Sequence, residues 1–176
     1  MAGDLVIVID PGMAFGTGAH PTTRMCLEKL EEICFDECGG KLPDPVLDVG
    51  TGSGVLSIAA ALMGAKAITA VDIDPEAVRV TEENLALNGF SGEVAVSTTD
   101  LGELTDSYAV VLANILAEEL VRLAGQLTAR VAPGGWLILS GILTEKAEMV
   151  RAAFPSLELV SSPQEAEWSC LTLRKA

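Results

Sequence analysis

The chain has 176 residues, of which 49% are hydrophobic and only 4% aromatic, and its formal net charge is −14. That length and apolar content predict a single domain with a substantial core. The negative charge suits solubility and a cationic partner, and it argues against a polyanion, so no direct contact with nucleic acid is expected. In chain order, residues 4–10 ("DLVIVID") read as a short strand, followed by a loop with three glycines, "PGMAFGTGAH". "PTTRMCLEKLEEICFDEC" then reads as a helix. Pro21 sits in its first turn, and Met25, Leu27, Leu30 and Ile33 form an apolar stripe. "GGKLPDP" breaks it.

From residue 46 the pattern becomes an alternation of strands and helices. Strands are predicted at 46–49, 67–72, 93–97, 109–113 and 135–140, with helices at 54–63, 75–88, 116–131 and 144–154. Asp74 before Pro75 is a helix cap followed by a first-turn proline. Continuous apolar strands separated by helices predict an α/β fold, a doubly wound and mostly parallel sheet. The last two strand-like runs, "SLELVSS" and "EWSCLTLRK", have no helix between them and predict an antiparallel pair at the sheet edge.

The four cysteines (Cys26, Cys34, Cys38 and Cys170) contain no C-x-x-C pair and no histidine cluster adjoins them, so no metal site is expected. Three of them fall on or near one helical stretch, where reduced thiols act as apolar fillers. Neither a signal peptide nor an apolar run of membrane-spanning length is visible, and a cytoplasmic monomer is expected.

The chemistry concentrates in "DVGTGSGVLS". Gly50, Gly52 and Gly54 lie between a strand and a helix, where bare backbone and free N–H groups accept a close ligand. A nicotinamide or flavin dinucleotide fingerprint wants its third glycine at position 55, where Val55 stands. Asp72 closes the second strand, 22 residues beyond Gly50, and a carboxylate there accepts bonds from ribose hydroxyls. Such charge-assisted bonds contribute about 1.5–3 kcal/mol each. Asn114 ends the fourth strand at the carboxyl edge, where open α/β sheets bind ligands, and its amide oxygen suits an amine.

The stretches "VLDVGTGSGVLSIAAALMGA", "AVDIDPEAVRVTEENLALNG", "VLANIL" and "VAPGG" are similar to the motifs of class I S-adenosylmethionine-dependent methyltransferases. The loop "DPGMAFGTGAHPTT", together with "NILA", narrows the resemblance to the PrmA family, from about residue 8 to the C-terminus. The resemblance implies S-adenosylmethionine as cofactor, S-adenosylhomocysteine as product, and transfer to amino groups of protein eleven of the large ribosomal subunit. It also implies that Phe15, Thr23 and Gly52 contact the cofactor, that Gly50 lines its methionine end and that Asp72 holds the ribose. Asp100 meets the adenine, and Asn114 lies beside the transferred methyl, as the catalytic residue and a cofactor contact at once. His20 is expected to serve loop architecture rather than to act as a base. Residues 1–40 are expected to form a cofactor-covering loop and helix, and residues 46–176 the core.

Members of the family carry a separate N-terminal recognition domain, whereas this chain begins almost at the methyltransferase motifs. It is read as a catalytic portion or a short form. The competing readings are a methyltransferase for another protein or for a small-molecule amine or amide, and a non-catalytic cofactor-binding module. Charge disfavours a nucleic-acid methyltransferase, and Val55 disfavours an oxidoreductase.

Overall fold

The computed structural model describes residues 3–10 and 18–176. Helix α1 (Pro21–Glu32) continues into one π-helical turn, Ile33–Glu37. Strands β1 (Val46–Val49), β2 (Ile68–Val71), β3 (Val94–Ser97), β4 (Tyr108–Asn114) and β5 (Val131–Leu143) alternate with helices α2 (Val55–Leu62), α3 (Pro75–Leu87), α4 (Ala117–Arg122) and α5 (Ala124–Arg130). Helix α6 (Ala147–Ala152) and strands β6 (Glu158–Ser161), β7 (Gln164–Glu165) and β8 (Trp168–Arg174) complete the order.

The sheet order is β3-β2-β1-β4-β5-β8-β6, with β7 paired to β8. Strands β1 to β5 pair in parallel, and β8 is antiparallel to β5, β6 and β7. The expected mixed architecture is therefore present, with β8 lying inside the sheet and β6 at its edge.

Two-residue periodicity divides the core between two faces. Val46, Val110, Leu112, Trp136 and Ile138 pack with α1 and α2 through Leu30, Leu56 and Ile58. Their neighbours Leu47, Val111, Ala113, Leu137 and Leu139 pack on the other face with Leu120, Leu127 and Val150 of α4, α5 and α6. Each fully buried Leu or Ile contributes about 1.5–3 kcal/mol of transfer free energy.

Some local expectations need correction. Residues 4–10 form no strand, because side chains of α3 rather than a neighbouring strand satisfy the backbone at Val8 and Asp10. The helix expected over 116–131 is two, α4 and α5, meeting at Leu123. The "VAPGG" turn is drawn into β5, where Gly134 N–H donates to the Lys175 carbonyl and Lys175 N–H to that of Gly135. Cys26 and Cys34 are buried fillers as expected, Cys38 is exposed instead, and Cys170 is buried as well.

Candidate functional site

The carboxyl ends of β1, β2 and β4 open onto a cavity of about 400 Å³. Its floor is the crossover from β1 to α2. Gly50, Gly52 and Gly54 have φ of +72°, +57° and +83°, a region that side chains disfavour. A Cβ at Gly50 would lie 2.5 Å from Ile115 Cγ2, and one at Gly54 would lie 2.9 Å from Thr81 Cγ2. Glycine is thus required there both by conformation and by space.

Beneath the crossover, Asp48 is fully buried in an otherwise apolar strand. Its Oδ2 accepts from Ser57 Oγ at 2.7 Å and Thr51 Oγ1 at 2.9 Å, bonds that fix the crossover to the helix behind it. Burial pushes the Asp48 carboxyl up from its ordinary value. The two hydroxyl bonds pull it back, and the charge of Asp72 adds a smaller upward push.

Asp72 directly follows β2. Its Oδ2 accepts from Gly52 N–H and its Oδ1 from Asp74 N–H, both at 3.0 Å. This carboxylate therefore fixes the glycine backbone as well as facing the cavity. Asp74 caps α3, accepting from Glu76 N–H at 2.9 Å, as its place before Pro75 predicts. Asp100 accepts from Gly102 N–H at 2.8 Å and starts the 3-10 turn Leu101–Glu103 at the cavity wall.

On the far side, Asn114 ends β4 and its Nδ2 donates to Thr23 Oγ1 at 3.3 Å. Thr23 is fully buried in the first turn of α1, and the next carbonyl back, that of Thr22, accepts from Ser140 Oγ at 2.8 Å. His20 is the N-cap of α1: its Nδ1 accepts from Thr22 N–H at 3.3 Å and lies 2.8 Å from Thr22 Oγ1. Its ring also meets Trp168 edge-on, with centroids 5.1 Å apart. His20 is thus the polar anchor at the entry to α1.

Thr23, Gly50, Gly52, Asp72, Asp100 and Asn114, all expected in the site, line this one cavity. Phe15 lies outside the described residues, as does most of the loop assigned to cover the cofactor. Sequence reading missed Asp48, Ile73, Glu119 and Arg122, which also line the cavity. Asp48 was detectable as a carboxylate inside an apolar strand. Ile73 is 91% exposed between two aspartates, which makes it a visible anomaly. Glu119 and Arg122 form an i,i+3 pair that resembles any solvated helix face. Asp48, Asp72, Asp100 and Glu119 against Arg122 leave the lining net negative. Among the described residues no cluster of His, Cys, Asp and Glu is arranged to hold a metal ion, and no helix is long and apolar enough to cross a membrane.

A mostly parallel sheet in this order, with a glycine-bared crossover and a carboxylate at the end of the next strand, is the Rossmann-like fold of the class I methyltransferases. The solved N-methyltransferase NodS from Bradyrhizobium japonicum WM9 shares that fold, with a TM-score of 0.69 at 15% identity over 90% of this chain and 98% of its own. The family described as "Ribosomal protein L11 methyltransferase (PrmA)" matches residues 1–176, and the chain belongs to that family.

The ribosomal protein L11 methyltransferase of Citrifermentans bemidjiense is 77% identical over 99% of this chain and 57% of its own length. That of Geobacter sp. strain M21 is 76% identical over 98% of this chain and 56% of its own. The chain thus spans a little over half the length of these curated relatives. The crystal structure of ribosomal protein L11 methylase from Lactobacillus delbrueckii subsp. bulgaricus superposes with a TM-score of 0.83 at 35% identity, over 96% of this chain and 84% of that one.

Proposed function

We propose that this chain binds S-adenosylmethionine in the cavity and transfers its methyl to amino groups of ribosomal protein L11. The observation that carries the reading is that Thr23, Gly50, Gly52, Asp72, Asp100 and Asn114 line a single net-negative cavity. The donor set fits the cofactor. Left-handed glycines let backbone approach a ligand closely, Asp72 is a carboxylate acceptor for ribose hydroxyls, and Ile73 and Asp100, which line the same cavity, offer adenine an apolar face and an acceptor. Asp72, Asp100 and Glu119 against one guanidinium favour a cationic ligand and oppose the pyrophosphate of a dinucleotide.

Bound there, S-adenosylmethionine supplies an electrophilic methyl on a positively charged sulfur. The chain's own contribution is positioning and desolvation. Thr23 holds the Asn114 amide by its nitrogen, which leaves the amide oxygen to accept from an incoming amine. That oxygen has room because Gly141, at φ +81°, carries no side chain. A Cβ there would lie 3.2 Å from Asn114 Oδ1 and 2.4 Å from the Ile115 carbonyl oxygen. A lysine ammonium releases its proton to solvent at the cavity mouth, since removal from bulk water and the neighbouring positive sulfur both favour the neutral, nucleophilic amine against the pull of the acidic lining. The acidic surface draws a basic protein substrate to the site and raises its encounter rate. The fold's working compartment is the cytoplasm, and its working form a monomer.

Calorimetric titration with S-adenosylmethionine and with NAD tests the cofactor, and binding of NAD alone would overturn it. Methyl incorporation into purified ribosomal protein L11 tests the acceptor. It is measured with this chain and with the chain joined to the additional residues its relatives carry, and incorporation by neither removes L11 from the reading.

A further inference from the structure

Helix α3 carries a polar stripe that the cofactor reading leaves unused. Thr81, Asn84 and Asn88 are spaced by three and four residues and so share one face. Thr81 Oγ1 donates to the Gly52 carbonyl at 3.0 Å. The fully buried Asn84 donates through Nδ2 to the Ser53 carbonyl at 2.8 Å and accepts through Oδ1 from Asp10 N–H at 3.1 Å. Asn88 accepts from Val8 N–H at 2.8 Å and donates to the Val8 carbonyl at 2.7 Å.

Asn84 is therefore a single amide shared between two separate stretches of backbone. One is the glycine crossover that floors the cavity, and the other is the incoming segment at Val8 to Asp10. Its orientation is fixed by chemistry: only nitrogen toward the carbonyl and oxygen toward the N–H satisfies both ends. A planar amide cannot turn to keep one bond without losing the other. A rotation of the Ser53 peptide that breaks the first bond carries Oδ1 away from Asp10.

We propose that Asn84 is a positioning residue that couples the placement of residues 8–10 to the state of the glycine crossover, so that filling the cavity tightens the incoming segment. The proposal rests on the reading that this cavity takes S-adenosylmethionine. Coupling of this kind needs a shared element that both sites bias, and the Asn84 side chain is that element. Asn84→Asp separates the two bonds. The carboxylate still accepts from Asp10 N–H but has no donor for the Ser53 carbonyl. Asn88→Ala releases Val8 without touching the crossover.

The test is amide hydrogen exchange at Asp10, Gly52 and Gly54, with calorimetry in parallel and S-adenosylhomocysteine as the probe. In the unmodified chain, saturating probe slows exchange at Asp10 by about tenfold, and in Asn84→Asp, which still binds, the slowing is lost. Unchanged exchange at Asp10 in the saturated unmodified chain overturns the coupling, and so does an equal slowing in Asn84→Asp. Absence of calorimetric binding to the unmodified chain counts against the cofactor reading instead. The coupling is then decided in the free chain, as it is for any variant that does not bind. There Asn84→Asp speeds exchange at Gly52 and Gly54 and leaves Asp10 protected, whereas Asn88→Ala leaves the crossover unchanged. Crossover exchange unaltered by Asn84→Asp overturns the proposal.

Discussion

The Asn114 side chain donates to the Thr23 hydroxyl at 3.3 Å across 91 residues of sequence, and this bond decides which end of the amide the cavity receives. With the nitrogen committed to Thr23, the oxygen is the free acceptor. Asn114→Ala should lower kcat by about tenfold to a hundredfold while changing S-adenosylmethionine affinity by less than about threefold, because the amide acts on the amine and not on the cofactor. Steady-state methylation beside calorimetry checks the split. Equal losses in both would make Asn114 a cofactor contact only.

Asp72 has two tasks, since its oxygens hold Gly52 N–H and Asp74 N–H while it faces the cavity. Asp72→Ala is expected to weaken S-adenosylmethionine binding at least about tenfold, through lost ribose bonds and a loosened crossover. Asp74→Ala removes a helix cap and should cost about 1 kcal/mol of stability with little effect on affinity. Titration and thermal unfolding of the two variants separate the roles. Abolished binding in Asp74→Ala with normal binding in Asp72→Ala would reverse the assignment.

His20 caps α1 and packs on Trp168. His20→Ala should destabilise the chain by about 1 kcal/mol, and His20→Ser, which restores a capping oxygen, should recover most of it. Methylation by His20→Ser at close to the unmodified rate is expected. A large fall in kcat with stability restored would make His20 a base.

Asp48 is buried and its carboxyl is held above its ordinary value, so the folded state retains the proton to higher pH than the unfolded state does. This group's contribution to stability therefore falls as pH rises from about 3.9, its unfolded value, through the raised folded one. Asp48→Asn has nothing to ionise, and its amide oxygen can still accept from Thr51 and Ser57. Urea unfolding of both chains from pH 4 to 7 should show stability shifting in favour of Asp48→Asn as pH rises. A difference independent of pH would show that the carboxyl does not titrate differently on folding.

The site was legible where chemistry imposes rare residues. Left-handed turns demand Gly50, Gly52 and Gly54, and the strand ends that open onto the cavity finish in Asp72 and Asn114, so local sequence marks them. Asp74 followed by proline revealed the start of α3 for the same reason. What stayed hidden depends on partners distant in sequence. Residues 4–10 carry a β-branched apolar run like a strand, yet the backbone bonds of Val8 and Asp10 go to Asn88 and Asn84, which no local pattern announces. The break between α4 and α5 falls at Leu123, and Gly125 in the first turn of α5 is its single local mark. The short β7 exists only through its pairing with β8. Glu119 and Arg122 reach the cavity wall because α4 follows Asn114 closely, a fact of packing rather than of composition.

Of the strands in this sheet, β8 is the last in sequence, yet it lies between β5 and β6. On a translating ribosome, β1 to β5 emerge first and can pair, while β5 keeps an open edge and β6 has no neighbour until Trp168–Arg174 is made. The sheet cannot close as it is synthesised, and its completion waits for the final strand to insert antiparallel between two waiting ones. Until then the nascent chain presents an unpaired edge, the form of exposed backbone that templates aggregation. The late insertion makes the seven residues of β8 the step on which the folding yield of the whole sheet depends.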